Sequence, residues 1–255
     1  MSEADDSRGL LLDSLAYPAE SNNAFRVVPL GGALLLLWFL LLPVFLLVGY
    51  LVRVVDHAAR DLPNTPDFKN WTDMLLDGAK AFTIVLAFFV TPFLVGNAVA
   101  LVGVALAGVA GPVGPAVATF GLFLWPVLTV VAAYLLPAAI GNFARSARVA
   151  DQRRFRAGFD SGVLKHSMAN RTYAWGWLVT LVVLLPGMGV WFTFTMTALP
   201  AVGVGGVDLT FLAPAIGALF GFYALVCGAY AVGRTWDEFE SDVKSSTESS
   251  EETAG

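Results

Sequence analysis

Side chains able to move charge or hold a metal are few in this chain, and their spacing suits no familiar reaction. His57 and His166 are the only histidines, and no histidine–glutamate pair sits at the helical spacing that binds zinc. Asp73 and Asp77 are four residues apart, but the further acids that a metal-dependent head-group transfer needs are missing downstream. Gly203-Val-Gly-Gly-Val-Asp208 places an acid after glycines, with no second acid nearby to share a proton. No Gly-x-x-x-x-Gly-Lys-Ser/Thr phosphate loop occurs. Cys227 is the single cysteine, so no intramolecular disulfide forms. The expectation is a protein that is not an enzyme, with no cofactor and no metal. A cluster of Asp73, Asp77 and Asp160 would reverse that reading.

The groups that remain are cations. Arg53, Arg145, Arg148, Arg153, Arg154, Arg156 and Arg234 flank long apolar tracts, where guanidinium groups reach lipid head groups along an apolar surface. Residues 145–171 carry seven basic residues against two acids. Each basic residue near an anionic surface contributes about 1 kcal/mol. Lipid head-group contact is therefore the chemistry expected of these arginines.

The elements between the arginines are set by composition. Of 255 residues, 57% are hydrophobic and 14% charged, against roughly 25% charged in soluble domains. Residues 81–144 contain no Asp, Glu, Lys, Arg or His, and residues 172–233 hold only Asp208. Residues 27–52 hold none. A spanning helix takes about 20 apolar residues, so a soluble enzyme, a nucleic-acid-binding domain and a secreted disulfide scaffold are excluded. The fold class is all-α, a polytopic integral membrane bundle of about five transmembrane helices. Prolines and glycines at 109–115 and glycines at 200–208 divide the longer tracts. Spans are expected at about 27–52, 81–108, 116–140, 173–199 and 209–233.

The first span is ambiguous. Its 26 residues would extend about 39 Å as one helix, against a hydrocarbon core of about 30 Å. One tilted helix fits, and so does a re-entrant pair turning near Pro43, with Gly31-Gly32 as a further interruption. Thirteen of the fifteen basic residues fall in loops 53–80 and 145–171 and in the C-terminal segment. These are expected to be cytoplasmic, in a cell membrane. The side of the N-terminus depends on whether the first segment crosses.

Within the loops, Thr65-Pro66-Asp67 reads as a helix start. Phe68, Trp71, Leu75, Ala79 and Phe82 then recur every three or four residues, which predicts an amphipathic surface helix running into the second span. Phe155, Phe159 and Val163 predict another. Residues 1–26 and 237–255 are acidic and read as a flexible and a disordered tail around a membrane domain at 27–236. The N-terminal stretch lacks the basic region that precedes the apolar part of a cleaved signal peptide. Asn97 is expected to hydrogen-bond a neighbouring helix. Gly217 and Gly221 form a small-xxx-small pair for helix packing. Trp125, Trp175, Trp177, Trp191 and Trp236 suit an aromatic belt.

Gly49-Tyr-Leu-Val-Arg53, Leu62-Pro63, Trp71 and Leu76-Asp77-Gly78-Ala79-Lys80-Ala81-Phe82 together resemble a family of archaeal, chiefly haloarchaeal, membrane proteins known as domain of unknown function 4013. Pro137-Ala-Ala-Ile-Gly-Asn-Phe-Ala-Arg145 and Ala157-Gly-Phe-Asp160 look like that family's second half. The likeness covers roughly Phe25 to Asp237, and the basic Asp151-Gln-Arg-Arg-Phe-Arg156 departs from it. The resemblance implies an archaeal cell membrane and no particular activity.

The functional expectation is a non-enzymatic, membrane-organising, lipid-contacting or accessory subunit. Its partners are membrane lipids and not nucleic acid, with other membrane proteins or a second copy left open. The alternative is a transporter or channel for an uncharged or lipid-like solute, lined by Asn97 or the Thr193-Phe-Thr-Met-Thr197 run.

Overall fold

A computed structural model describes residues 3–146, 148–149, 152–153, 155–196, 203–204, 207–208 and 212–254. The helices are α1 Glu3–Glu20, α2 Ala24–Leu36, α3 Leu41–Ala58, α4 Trp71–Leu106 and α5 Val113–Arg145, then α6 Ser161–Ala169, α7 Arg171–Met196 and α8 Leu212–Ala254. A 3-10 turn covers Phe155–Phe159. Two antiparallel ladders of two-residue strands complete the description: β1 Arg148–Val149 with β2 Gln152–Arg153, and β3 Gly203–Val204 with β4 Val207–Asp208. The molecule is a helical membrane bundle. Five helices are long and apolar enough to cross a membrane: α3, α4, α5, α7 and the Leu212–Phe239 part of α8.

Residues 27–52 do not form one helix. The chain breaks at Leu37–Leu40, so a helix of about 20 Å (α2) is followed by one of about 27 Å (α3). The pair doubles back, so that its two outer ends lie together. Asn23, which precedes α2, donates from Nδ2 to the carbonyl of Thr65 at 2.9 Å, and Thr65 lies seven residues beyond the end of α3. The two helices form a hairpin, the shape expected of the re-entrant alternative, with two differences from expectation. The turn precedes Pro43, which instead occupies the first turn of α3, where no helical donor is needed. Gly31-Gly32 does not interrupt the helix. Both glycines lie buried inside α2, where a Cβ on Gly31 would run into the Phe222 ring and one on Gly32 would sit 2.7 Å from Leu219 Cδ2.

The loop-one helix also starts later than its sequence suggests. Thr65 does not cap it; α4 begins at Trp71 and continues without a break for 36 residues, about 54 Å. Its deeply buried positions are Met74, Asp77, Gly78, Ala81 and Ile84. The expected stripe of Phe68, Leu75, Ala79 and Phe82 is only half-buried, and Trp71 is exposed. The cause is a backbone contact. A Cβ on Gly78 would collide with the carbonyl of Phe45, and one on Gly49 with the carbonyl of Met74, so α3 seats on the glycine face of α4. Tyr50 stacks on Phe68 beside this crossing, with centroids 4.2 Å apart. Arg53 donates to the carbonyls of Lys69 and, at 3.0 Å, Asn70.

The tails differ from expectation too. α1 is a docked helix rather than a flexible segment: Ser14 and Tyr17 are buried, and Tyr17 stacks on Tyr230 at 4.3 Å. α8 continues as helix to Ala254, where a disordered tail was expected. Its long acidic stretch extends a helix already nucleated and packed upstream, which removes the nucleation cost. In loop three the expected helix is divided at Asp160, whose carboxylate accepts from Gly162 N–H at 2.9 Å and starts α6. Phe155 and Phe159 therefore belong to the 3-10 turn and Val163 to α6.

Asn23 and Thr65 fix the entry to the hairpin together with Ser21. Thr65 Oγ1 lies 2.8 Å from Ser21 Oγ and 2.6 Å from Asn23 Oδ1, and Asp67 accepts from Asn23 Nδ2 at 2.7 Å. Hydrogen bonding from Lys69, then from Asn23, holds the Asp67 carboxyl below its ordinary range. A pKa depressed by folding stabilises the native state above the unfolded value of about 3.9, and that contribution is lost as pH falls through the folded value. Asp67 is exposed, so the effect is small. Acid titration of detergent-solubilised protein should give a shallower loss of stability below about pH 4 in Asp67→Asn than in the parent. Parallel curves would show that Asp67 contributes nothing.

Candidate lipid-contacting site

The loop-three ends of α5 and α7 meet α8 around a proline. Pro137 in α5 has no N–H for the carbonyl of Ala133, one turn earlier. Trp177 of α7 supplies the missing donor, its Nε1 lying 3.1 Å from that carbonyl. Tyr173 occupies the next gap. Its hydroxyl donates to the Tyr134 carbonyl at 2.6 Å and accepts from Ala138 N–H at 3.1 Å. The two groups would bond each other in a straight helix, and here an inserted hydroxyl bridges them. Inside a membrane every backbone group must find such a partner, so α7 is keyed to α5 at this point. Trp236 of α8 lies against Gly141, where a Cβ would be 2.8 Å from the indole.

Beyond this junction, loop three folds back on α5. Asn142 donates from Nδ2 to the Ala157 carbonyl at 2.8 Å. Gly158 lies under Ile84, with 2.5 Å between a built Cβ and Ile84 Cδ1. Phe159 stacks on Phe88 at 6.1 Å. Between α5, α6 and α8 is left a cavity of 490 Å³, lined by Arg145, His166, Asn142, Asp160, Trp236 and Phe239 among others. His166 lies edge-on to Phe239 at 5.5 Å. A guanidinium and an imidazole beside aromatic walls, at the end of apolar helices, form a pocket that suits a polar lipid head group.

The expected lipid-contacting arginines separate into three groups. Arg145 lines the cavity. Arg156 is exposed on the 3-10 turn; Arg148 and Arg153 pair across the β1–β2 ladder, their side chains and Arg154 lying outside the described residues. Arg53 and Arg234 do structural work instead. Arg53 ties down the loop-one carbonyls, and Arg234 forms an ion pair with Asp61 at 2.7 Å. Gly217 and Gly221 both pack within the chain. A Cβ on Gly217 would lie 2.7 Å from Phe194 Cβ, and one on Gly221 2.8 Å from Trp191 Cβ.

Asn97 and Thr195 on the spans bond within their own helices. Asn97 donates to the Phe93 carbonyl at 2.7 Å rather than to a neighbouring helix, because an i−4 carbonyl is the nearest acceptor in oil. Thr195 does the same with Trp191 at 2.7 Å; Thr197 lies outside the described residues, as does the side chain of Asp208. Among the described residues no group of three His, Cys, Asp or Glu could hold a metal. Sequence reasoning missed the Tyr173–Trp177 insertion into α5. Its signal was a proline inside one span with paired aromatics opening the next.

No curated protein and no solved structure matches the chain. The model of a family described as "Protein of unknown function (DUF4013)" matches residues 33–201. That stretch includes the Gly49–Gly78 crossing, the α4–α5 hairpin, the Pro137 junction and the cavity-lining residues of loop three, so the chain belongs to the DUF4013 family of proteins of unknown function.

Proposed function

We propose that the protein is a non-enzymatic component of an archaeal cell membrane that binds and organises anionic lipids at the cytoplasmic leaflet. In this reading loops 53–80 and 145–171 and the C-terminus are cytoplasmic. The supporting observation is the cavity between α5, α6 and α8, where Arg145 and His166 stand beside Trp236 and Phe239. The charge balance of residues 145–171, seven basic against two acidic, favours the same ligand. The acidic α8 extension suits a high-salt cytoplasm.

The test is the lipid carried through purification. Protein reconstituted with equal anionic and neutral phospholipid, then extracted, should retain the anionic species preferentially. Replacing Arg153, Arg154 and Arg156 together with Gln should weaken that preference by up to ~100-fold, at about 1 kcal/mol per residue. Equal retention of both lipids by the parent protein would refute the reading.

A further inference from the structure

We propose that the groove between α4 and α5 holds one hydrocarbon chain of an anionic phospholipid whose phosphate rests against the basic 3-10 turn. This deepens the lipid-binding reading and rests on it. The groove has a volume of 300 Å³ and is lined by Phe88, Thr91 and Pro92 of α4, Leu128 and Ala132 of α5, and Phe159. It lies along two of the helices able to span a membrane. Phe89, Val127 and Val130, next in sequence to lining residues, are exposed, so what meets this apolar surface in a membrane is hydrocarbon.

The hairpin's own sequence explains why the groove is there. Farther along the seam, glycines bring the helices into backbone contact: Gly96 against Trp125, Gly103 against Ala118, Gly121 against Ala100. Between Ala87 and Val95 on α4, and Leu128 and Leu135 on α5, no glycine occurs, and the seam opens. Close helix docking in a membrane uses small residues. Here the glycines of the hairpin are spent inside it and bulky side chains face out. A flexible chain fits such a surface better than a second helix does.

The end of the groove selects the head group. Phe159 closes it, stacked on Phe88, and Arg156 is exposed three residues earlier on the same turn. The β2 strand, Gln152–Arg153, packs against α4 nearby. Lipid tails are as apolar as the groove, so chain burial by itself gives little preference over bulk lipid. Preference must come from the phosphate, for which Arg156 offers an exposed cation, while the neighbouring Asp160 carboxylate is engaged by the Gly162 N–H at the start of α6.

Native mass spectrometry of the full chain in detergent tests this, with phosphatidylglycerol or phosphatidylcholine added. The parent should retain one more phosphatidylglycerol than phosphatidylcholine. Thr91→Trp fills the groove from an exposed position and should lose that lipid while keeping the parental thermal transition. Should Thr91→Trp fail to fold, Val131→Trp fills it from the opposite wall. Arg156→Gln should keep a lipid but lose about fivefold of the preference. Undiminished phosphatidylglycerol in the tryptophan variant overturns the groove assignment. If the triple arginine variant has meanwhile lost its preference, the general lipid reading stands. No preference in the parent removes both. A tryptophan variant that turns a dimer into a monomer would assign the groove to a second copy and overturn the proposal.

Discussion

Gly78→Val should unseat α3 from α4 and cost about 4 kcal/mol, near the top of the range for one substitution. The two helices touch backbone to backbone. A side chain at Gly78 points at the Phe45 carbonyl, and one at Gly49 at the Met74 carbonyl. Neither obstacle is a side chain that could swing away, so the helices must separate. Separation also pulls apart the buried cluster of Tyr50, Met74, Ile84, Phe143 and Phe222. The cost is overpacking plus lost packing, not lost flexibility. Gly189→Ala is the internal control, because nothing lies within 4 Å of a Cβ there. It should be neutral or slightly stabilising through helix propensity. Unfolding midpoints in detergent compare the two, and equal midpoints for Gly78→Val and Gly189→Ala would refute the crossing.

Tyr173→Phe should cost about 2 kcal/mol, and far less when Pro137 is also changed to Ala. The substitution removes only a hydroxyl, which bridges the Tyr134 carbonyl and Ala138 N–H. Both are left without partners in a buried place, at roughly 1 kcal/mol or more each. With alanine at 137, the helix can straighten and the two groups can bond directly. The double-mutant cycle should therefore show a coupling energy of about 1 kcal/mol or more. Independent, additive effects would mean that Tyr173 packs beside α5 without repairing it.

Both predictions bear on the family resemblance. Gly49, Arg53, Asp77 and Gly78 can be picked out as a pattern without any indication that they meet. In three dimensions the two glycines make one contact, and Arg53 fastens the loop between their helices. The second part of the pattern behaves similarly: Pro137 receives α7, Gly141 receives Trp236, and Asn142 holds the Ala157 carbonyl. The pattern describes joints. Of the arginines expected to contact lipid, Arg53 and Arg234 have intramolecular partners that the pattern by itself does not reveal.

Composition and charge spacing determined the helical membrane class, the breaks near residues 109–115 and 200–208, and the single side that gathers the cations. These follow because each is a local or summed property: hydrocarbon excludes charge, and the prolines and glycines crowded into those two stretches leave no helix across them. Only the tertiary structure decided that residues 24–58 double back, that α1 docks, and that α7 repairs α5. Each depends on partners more than thirty residues away, such as Thr65 for Asn23, Tyr230 for Tyr17 and Tyr173 for Tyr134. Apolar periodicity states that a face is buried, whereas a backbone contact or a shared hydrogen bond states against what.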